Sequence, residues 1–587
     1  MVEAMGQVII HRGPDDWGAF DGPGVALGNR RLSIIDVAGG HQPFVSDDGL
    51  IALVQNGEIF NYVELAAELA RDGFPCTTHS DTEVLLRLYE RDGIEFVHKL
   101  NGMFAIAVFD GRTDTLHLVR DRVGVKPLFV WEDSERVLFA SEIKALLRAA
   151  IPREIDAESL HYYLQLNYVP PDRTLFAGVR HVTPGHILTV TRNGSCSASW
   201  WDLGRLAQEE RSEAAWIEEL NVLLSDAVRL RLRSDVPFGA FLSGGIDSST
   251  VVGLMSGAME NPVRTYNIGF DHAVYDEAPF AQIAAERFGT RHLSRRVEVD
   301  LLKLWPLATY YCDQPHGDAS FMPTYCVSQL AAADVKVVLT GDGGDELFAG
   351  YEKYQEFFAR PEAAASEAAF RSAYLSFTGL FGDGDLSALY TGGAARAVRG
   401  INVAAIAGPL FERCKHMDRV NQALFLDTLL LLPGNNLVKP DRMGMAVSLE
   451  VRTPFLDYRV IELAFRMPGP LKLAAGETKY ILKQAVKPLI GRDLAYRRKQ
   501  MFTVPIGDWL RIEPLRSFSS GLLLSPRATS RGLFEPAEVR RLLEAHVLGT
   551  ANHTRQIRAL MAVELWHRIF LDRSELGPPG EHFVGSD

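Results

Sequence analysis

Phe238-Gly239-Ala240-Phe241-Leu242-Ser243-Gly244-Gly245-Ile246-Asp247-Ser248-Ser249 is the stretch whose reading decides the fold. Its first five residues form a short apolar run with the length of a buried strand, and a helix opens at Thr250. Between them, two glycines let backbone N–H groups approach an anion closely. The helix start adds its positive dipole end, and Ser248 and Ser249 offer hydroxyls. Asp247 suits a magnesium ion bridging phosphates. A plain glycine turn is the bland alternative, but strand, SGGxDSS and helix in succession specify a phosphate loop. It differs from the GxxxxGK[ST] loop. A strand feeding a helix through such a loop belongs to a doubly wound parallel α/β sheet.

Working outward, further strands are expected at 264–270 and 335–340, alternating with helices, after a long amphipathic helix at 216–232. From Tyr351 the chain reads mostly helical, with 361–408 a weakly patterned, Ala- and Gly-rich helical insertion. The first third reads differently. Short β-type segments at 25–27, 51–55, 104–109, 115–119, 128–131 and 137–139 are interrupted by helices at 62–72 and 82–93. A hairpin follows through Asn193-Gly194. This predicts a layered α+β domain over 1–201, a charged linker at 202–211, an α/β domain over 212–574 and a loose tail over 575–587.

The 587 residues are 47% hydrophobic and 23% charged, with a net charge of −13. The acidic balance speaks against a nucleic-acid partner. The longest apolar run, 424–432, contains Asp427 and is too short to span a bilayer. No secretory signal is legible, so a cytoplasmic enzyme is expected. Five cysteines (76, 196, 312, 326 and 414) lack zinc spacing and read as reduced thiols.

A second motif, Thr340-Gly341-Asp342-Gly343-Gly344-Asp345-Glu346-Leu347-Phe348-Ala349-Gly350-Tyr351, follows the strand at 335–340. Its three crowded carboxylates call for a cation or a base role, at the sheet edge where ligands bind. Ser448-Leu449-Glu450-Val451-Arg452-Thr453-Pro454-Phe455-Leu456-Asp457 and Thr478-Lys479-Tyr480-Ile481-Leu482-Lys483 come later. The glycine loop resembles the pyrophosphate loop of ATP pyrophosphatases. The four motifs in order resemble the bacterial type-B glutamine-hydrolysing asparagine synthetases, over nearly the whole chain. The resemblance implies ATP and Mg²⁺, with Asp247 and Asp345 holding magnesium-pyrophosphate and Lys479 stabilising phosphate charge. Asp342 stands where the family carries a glutamate proposed to assist deprotonation of ammonia. Phe241, Ile268, Thr340 and Gly341 would line the adenosine pocket beside Ser243, Gly244 and Gly245.

The same family carries an Ntn-hydrolase-type αββα glutaminase sandwich in front of its ATP-pyrophosphatase domain. Its signatures stand at 11–16, 31–36, 56–62 and 80–83. Arg31 suits the carboxylate of glutamine, and Glu58 and Asp81 suit its ammonium. Asn56 and the Gly57 N–H would form the oxyanion hole, by resemblance. The family's nucleophile is an N-terminal cysteine, whereas this chain begins Met1-Val2-Glu3-Ala4-Met5. The expectation is a late start, with the opening strand and the thiol upstream, and no glutamine hydrolysis by the chain as written. The family's Thr-Thr-x-Arg segment, linked to aspartate binding, is replaced by a stretch at 314–324 without arginine.

The function expected is therefore conversion of a carboxylate, first of all aspartate, to an acyl-AMP and then an amide, with ammonia from glutamine or free ammonium. Alternatives are a different carboxylate in polysaccharide, peptide or secondary-metabolite synthesis, or a β-lactam synthetase-like cyclase. The partners expected are small molecules, without nucleic acid or membrane, and the assembly expected is a homodimer.

Overall fold

Alternation of side chains along three central strands builds the first domain. The computed structural model describes residues 1–270, 275–297, 300–499, 504–580 and 583. Strands β1 (Asp16–Gly22) and β2 (Val25–Arg31) pair with each other. Strands β3 (Phe44–Val45), β4 (Ile51–Ile59), β5 (Gly102–Asp110), β6 (Thr115–Arg120), β10 (His186–Thr191) and β11 (Gly194–Ser199) form an antiparallel sheet in the order β11-β10-β6-β5-β4-β3. A third sheet, in the order β8-β7-β9, is made by β7 (Phe129–Glu132), β8 (Val137–Ala140) and β9 (Val179–His181).

On the large sheet, Ile51, Leu53, Phe104, Ile106 and Val108 pack with Leu69 and Leu85 of the helices Tyr62–Arg71 and Asp81–Asp92. Their neighbours Ala52, Val54, Ala105, Ala107 and Phe109 face the opposite way, against Leu128 and Val130. On the far side of β7, Phe129 and Trp131 pack with residues of the helices Ile143–Arg148 and Ala157–Leu166. The result is the αββα sandwich.

The second domain is centred on a parallel sheet. Strands β12 (Phe238–Phe241), β13 (Arg264–Gly269), β14 (Arg291–Arg296), β15 (Val337–Leu339) and β16 (Glu450–Arg452) lie in the order β14-β13-β12-β15-β16, all parallel. The order reverses at β12, which has β13 on one side and β15 on the other. The loops after β12 and β15 therefore meet at the C-terminal edge, at a topological switch point. Neither β14 nor β16 was legible as a strand. β14 is an exposed, polar edge without alternation, and β16 is three residues long with charged ends.

The helical remainder is anchored in the core. Within the stretch read as an insertion, Phe370 and Tyr374 of the helix Glu367–Thr378 are fully buried, and the Tyr374 hydroxyl donates to Asp427 at 2.7 Å. The linker is docked as well. Leu203 is buried, the Glu209 N–H donates to the Arg466 carbonyl, and Arg413 pairs with Asp202. Of the expected tail, residues 581, 582 and 584–587 lie outside the described residues. Among the described residues no helix is long and apolar enough to cross a membrane.

Buried charges join the two domains. Arg12 reaches Asp441 at 2.9 Å and Glu142 at 3.1 Å, and Lys144 lies between Glu142 (2.5 Å) and Asp313 (2.7 Å). Asn101 donates to Asp457, which also pairs with Arg231. Such groups are costly to leave unpaired away from water, so they fix the domains in one arrangement.

Candidate active sites

At the switch point the glycine loop has little freedom. Gly244 has φ +70°, and a Cβ there would lie 2.3 Å from the Phe280 backbone. The Ser243 and Ser248 hydroxyls stand 3.0 Å apart, and the Gly245 N–H donates to Ser243 Oγ. The helix Ile246–Ala258 then carries Asp247 in its first turn. Ser249, expected to offer a hydroxyl at the surface of the loop, is fully buried instead, because its position in the first helical turn faces the core. Ile268 on β13 is buried in the core, and Phe241 on β12 is half-buried.

Across the loop, Lys479 adopts the left-handed conformation (φ 54°) at the start of the helix Tyr480–Ile490. Its ammonium stands 2.5 Å from Asp247 Oδ2 and 2.6 Å from Asp345 Oδ1. Glycines make this closeness possible: a Cβ on Gly350 would fall 2.0 Å from Asp345 Oδ1 and 2.1 Å from Lys479 Cε, and one on Gly341 2.5 Å from Asp247 Cβ. Lys499 also reaches Asp345, at 2.5 Å. Burial works to raise the Asp345 carboxyl, but the two ammonium groups outweigh it and hold it well below the usual carboxylate range. At Asp247 burial outweighs Lys479 and raises the carboxyl. Burial opposes the charge on Lys479, but the two aspartates outweigh it and keep the ammonium protonated. Asp247 Oδ1 is buried without a hydrogen-bond partner.

Asp342 accepts from the Thr340 hydroxyl at 2.7 Å, and burial raises its carboxyl against the pull of Lys439. Glu346 of the same turn is occupied structurally by Tyr351 and Asn436. Sequence reasoning missed Lys499 and Arg497, whose guanidinium holds the Ser243 carbonyl at 3.1 Å and pairs with Glu277. The signal was present as the basic run Arg497-Arg498-Lys499 in an acidic chain.

The first domain holds a cavity of about 970 Å³ that Arg31, Asn56, Gly57, Glu58 and Asp81 all line. The Arg31 guanidinium donates to the carbonyls of Ile35, Asp36 and Val37. Asn56 Nδ2 donates to Ser141 Oγ at 3.2 Å. Gly57 has φ +128°, and a Cβ there would clash with the Met103 carbonyl. Asp81 Oδ2 accepts the Ile59 N–H and Gln55 Nε2, so it has less free acceptor capacity than the sequence suggests. Glu58 Oε2 is buried and unpartnered, and burial, Asp81 and Glu450 together raise its carboxyl well above its ordinary value. Residues of β2 and β8 also line the cavity. Among the described residues β2 pairs with β1 and β8 with β7, and the helix Val2–Gln7 contributes to the lining as well. Among the described residues no cysteine lines the cavity. Cys76 lies elsewhere, half-buried, its thiol pushed up to about 11 by burial.

An αββα sandwich whose cavity is lined by Arg31, Asn56, Glu58 and Asp81, joined to a parallel sheet with a phosphate-type loop at its switch point, defines a two-domain amidotransferase. Comparison with known proteins makes the class particular. The glutamine amidotransferase domain model matches residues 1–201, and the asparagine synthase model matches residues 219–568. Asparagine synthetase [glutamine-hydrolyzing] 1 of Bacillus subtilis (strain 168) is 31% identical over 598 residues, covering 98% of this chain and 94% of that protein. Asparagine synthetase [glutamine-hydrolyzing] 3 of the same organism is 30% identical over 87% of this chain and 86% of its own length. The amidase chry2 of Gibberella zeae is 29% identical over 86% of this chain and 84% of its own. The chain belongs to the asparagine synthase family and is an enzyme of the carbon–nitrogen ligase kind.

Proposed function

We propose that the chain activates a carboxylate, aspartate first, as an acyl-AMP and converts it to the amide, with AMP and pyrophosphate as by-products. The observation that carries this is the Lys479 ammonium, held between Asp247 and Asp345 opposite the glycine loop. One carboxylate oxygen of the acceptor attacks the α-phosphorus of ATP, and the bond to the β-phosphate oxygen breaks. Lys479, fixed and charged, stabilises the negative charge gathering on the phosphates as pyrophosphate leaves. The loop N–H groups and the Ser243 and Ser248 hydroxyls receive the departing phosphates. Ammonia then attacks the acyl carbon, and AMP departs with the bonding electron pair. Asp342, raised by burial and oriented by Thr340, takes the proton that nitrogen sheds.

Two carboxylates at the mouth of a phosphate loop, one with a buried unpartnered oxygen, fit a magnesium ion shared with substrate phosphates. Asp247 and Asp345 would hold it, and when bound it supplies charge neutralisation and alignment of the phosphate chain. The ammonia source in this reading is glutamine, bound in the first domain by Arg31, Asn56, Gly57, Glu58 and Asp81, or free ammonium. A second reading, with a different acceptor, draws on the relatives that are named amidases.

ATP–pyrophosphate exchange against a panel of carboxylates, with ammonium supplied, tests the reading. Exchange and AMP release with aspartate support it, and Asp247→Asn abolishes both while the protein stays folded. Release with another carboxylate and none with aspartate replaces the acceptor. No release with any carboxylate, or normal release by Asp247→Asn, overturns the assignment.

A further inference from the structure

The first peptide of the glycine loop is held from one side only. The Ser243 carbonyl accepts from Arg497 Nη1 at 3.1 Å. The peptide that joins Ser243 to Gly244 is planar and trans, so its N–H points the opposite way from that carbonyl. Gly244 is a buried residue, yet among the described residues its N–H donates to no acceptor. A buried backbone donor without a partner is rare, and beside a phosphate-type loop it marks a place kept for an anion. The other polar groups of Ser243 are engaged within the loop. Its N–H donates to Ser248 Oγ at 3.3 Å, and its Oγ accepts the Gly245 N–H at 3.2 Å.

Glycine by itself does not hold this peptide in its present sense. Gly244 sits at φ +70°, and glycine adopts negative φ as readily. Half a turn of this one peptide would carry Gly244 to negative φ and put the Ser243 oxygen where the N–H now points. An N–H facing a phosphate attracts it, and a carbonyl oxygen repels it. A side chain at 244 cannot stiffen the turn, because its Cβ would lie 2.3 Å from the Phe280 backbone. The restraint has to come from outside the loop.

Arg497 supplies it. Its Nη2 pairs with Glu277 at 2.5 Å, both side chains being buried, and its Cζ lies 4.2 Å from the centre of the Phe280 ring. Glu277 and Phe280 belong to one turn, in which the Glu277 carbonyl accepts the Phe280 N–H at 3.0 Å at the start of the helix Ala278–Phe288. An ion pair and a ring thus fix the guanidinium, and Nη1 is left for the carbonyl. Two residues on, Lys499 reaches Asp345, so this short segment crosses from the loop after β12 to the loop after β15.

We propose that Arg497 is a positioning residue that locks the Ser243–Gly244 peptide against rotation, so that the Gly244 N–H stays aimed at the pyrophosphate part of ATP. This rests on the reading of the glycine loop as the phosphate site. Arg497 acts through the loop and not by contact with the nucleotide. Glu277 and Phe280 hold Arg497 in place.

Isothermal titration calorimetry of the full chain with inorganic pyrophosphate and, separately, with AMP, in magnesium buffer, tests this without any turnover. Arg497→Met is expected to weaken pyrophosphate binding by about 10- to 100-fold, the worth of one hydrogen bond to a charged group, and to leave AMP binding unchanged. Arg497→Lys, which offers the carbonyl a donor without the planar fork, recovers part of the loss. Arg497→Met also leaves Glu277 without its buried partner, so Glu277→Gln serves as the control. It removes the ion pair, keeps the carbonyl bond and binds pyrophosphate as wild type does. If Arg497→Met does not fold, weaker pyrophosphate binding by Arg497→Lys beside wild-type binding by Glu277→Gln supports the lock. Unchanged pyrophosphate binding by the Arg497 variants, an equal loss for AMP, or an equal loss in Glu277→Gln overturns it while the phosphate-site reading stands. A wild type that binds no pyrophosphate overturns that reading, and the lock with it.

Discussion

The carbonyl of Arg452 accepts the N–H of Thr340 at 2.9 Å. The same arginine turns its side chain towards the other domain, where Nη2 stands 3.7 Å from Glu58 on the wall of the first cavity. Thr340 in turn donates its hydroxyl to Asp342. One fully buried residue on the outermost strand β16 therefore touches the surroundings of both candidate sites. Its guanidinium is fixed by Glu450 at 2.9 Å and by the carbonyls of Arg231 and Arg233.

Arg452→Met removes this fixture and leaves Glu450 and two carbonyls without their buried partner. The expected destabilisation is about 3–5 kcal/mol, the cost of breaking a buried pair from one side. Thermal unfolding followed by circular dichroism measures it, and an unchanged midpoint would show that the network contributes nothing net.

Lys479→Ala is expected to lower kcat for AMP formation by about 10²- to 10³-fold, with a much smaller change in KM for ATP. The reason is that the ammonium, kept charged by Asp247 and Asp345, acts on charge that develops only in the transition state. A rise in KM for ATP at unchanged kcat would make it a ground-state ligand instead.

The 587 residues tested as given are expected to form amide from ammonium and not from glutamine, because no thiol is among the described residues that line the cavity of the first domain. Amide formation with each nitrogen source, together with an assay for free glutamate, decides this. Glutamate release at the rate of amide formation would refute it.

Lys472 provides a pH signature. It is fully buried, donates to Asn421 Oδ1 at 2.7 Å, and burial pushes its ammonium down to about 7. In the unfolded chain a lysine titrates near about 10.4. Between these values the unfolded state binds more protons, so this residue makes stability rise with pH from about 7 upward until the unfolded lysine also loses its proton. Unfolding at pH 8.5 should take up about one proton here. In Lys472→Met that uptake vanishes, and the melting temperature gains most against wild type near pH 7 and least near pH 10. Parallel pH profiles for the two proteins would refute the assignment.

Much of this protein can be read locally. The apolar run ending at Leu242 and the glycines after it dictate strand, loop and helix from neighbouring residues alone. Alternation along β4 and β5 places Ile51 and Ala52 on opposite faces without knowledge of the partner sheet. The four motifs that mark the family are likewise contiguous stretches, legible in the order they occur. Pairing between distant segments was not legible. Nothing in the sequence shows that Lys479 sits between Asp247 and Asp345, that Lys499 joins them, or that Ser249 turns inward. The edge strands β14 and β16 were missed because a sheet edge needs no apolar alternation. Arg31 shows the limit most clearly: its type announces an anion partner, whereas the folded chain first uses its donors on three carbonyls. The sequence by itself determined the elements and the inventory of chemical groups, because these depend on residue type and short-range spacing. Only the tertiary structure decided which charges meet, because that depends on burial and on contacts between residues hundreds of positions apart.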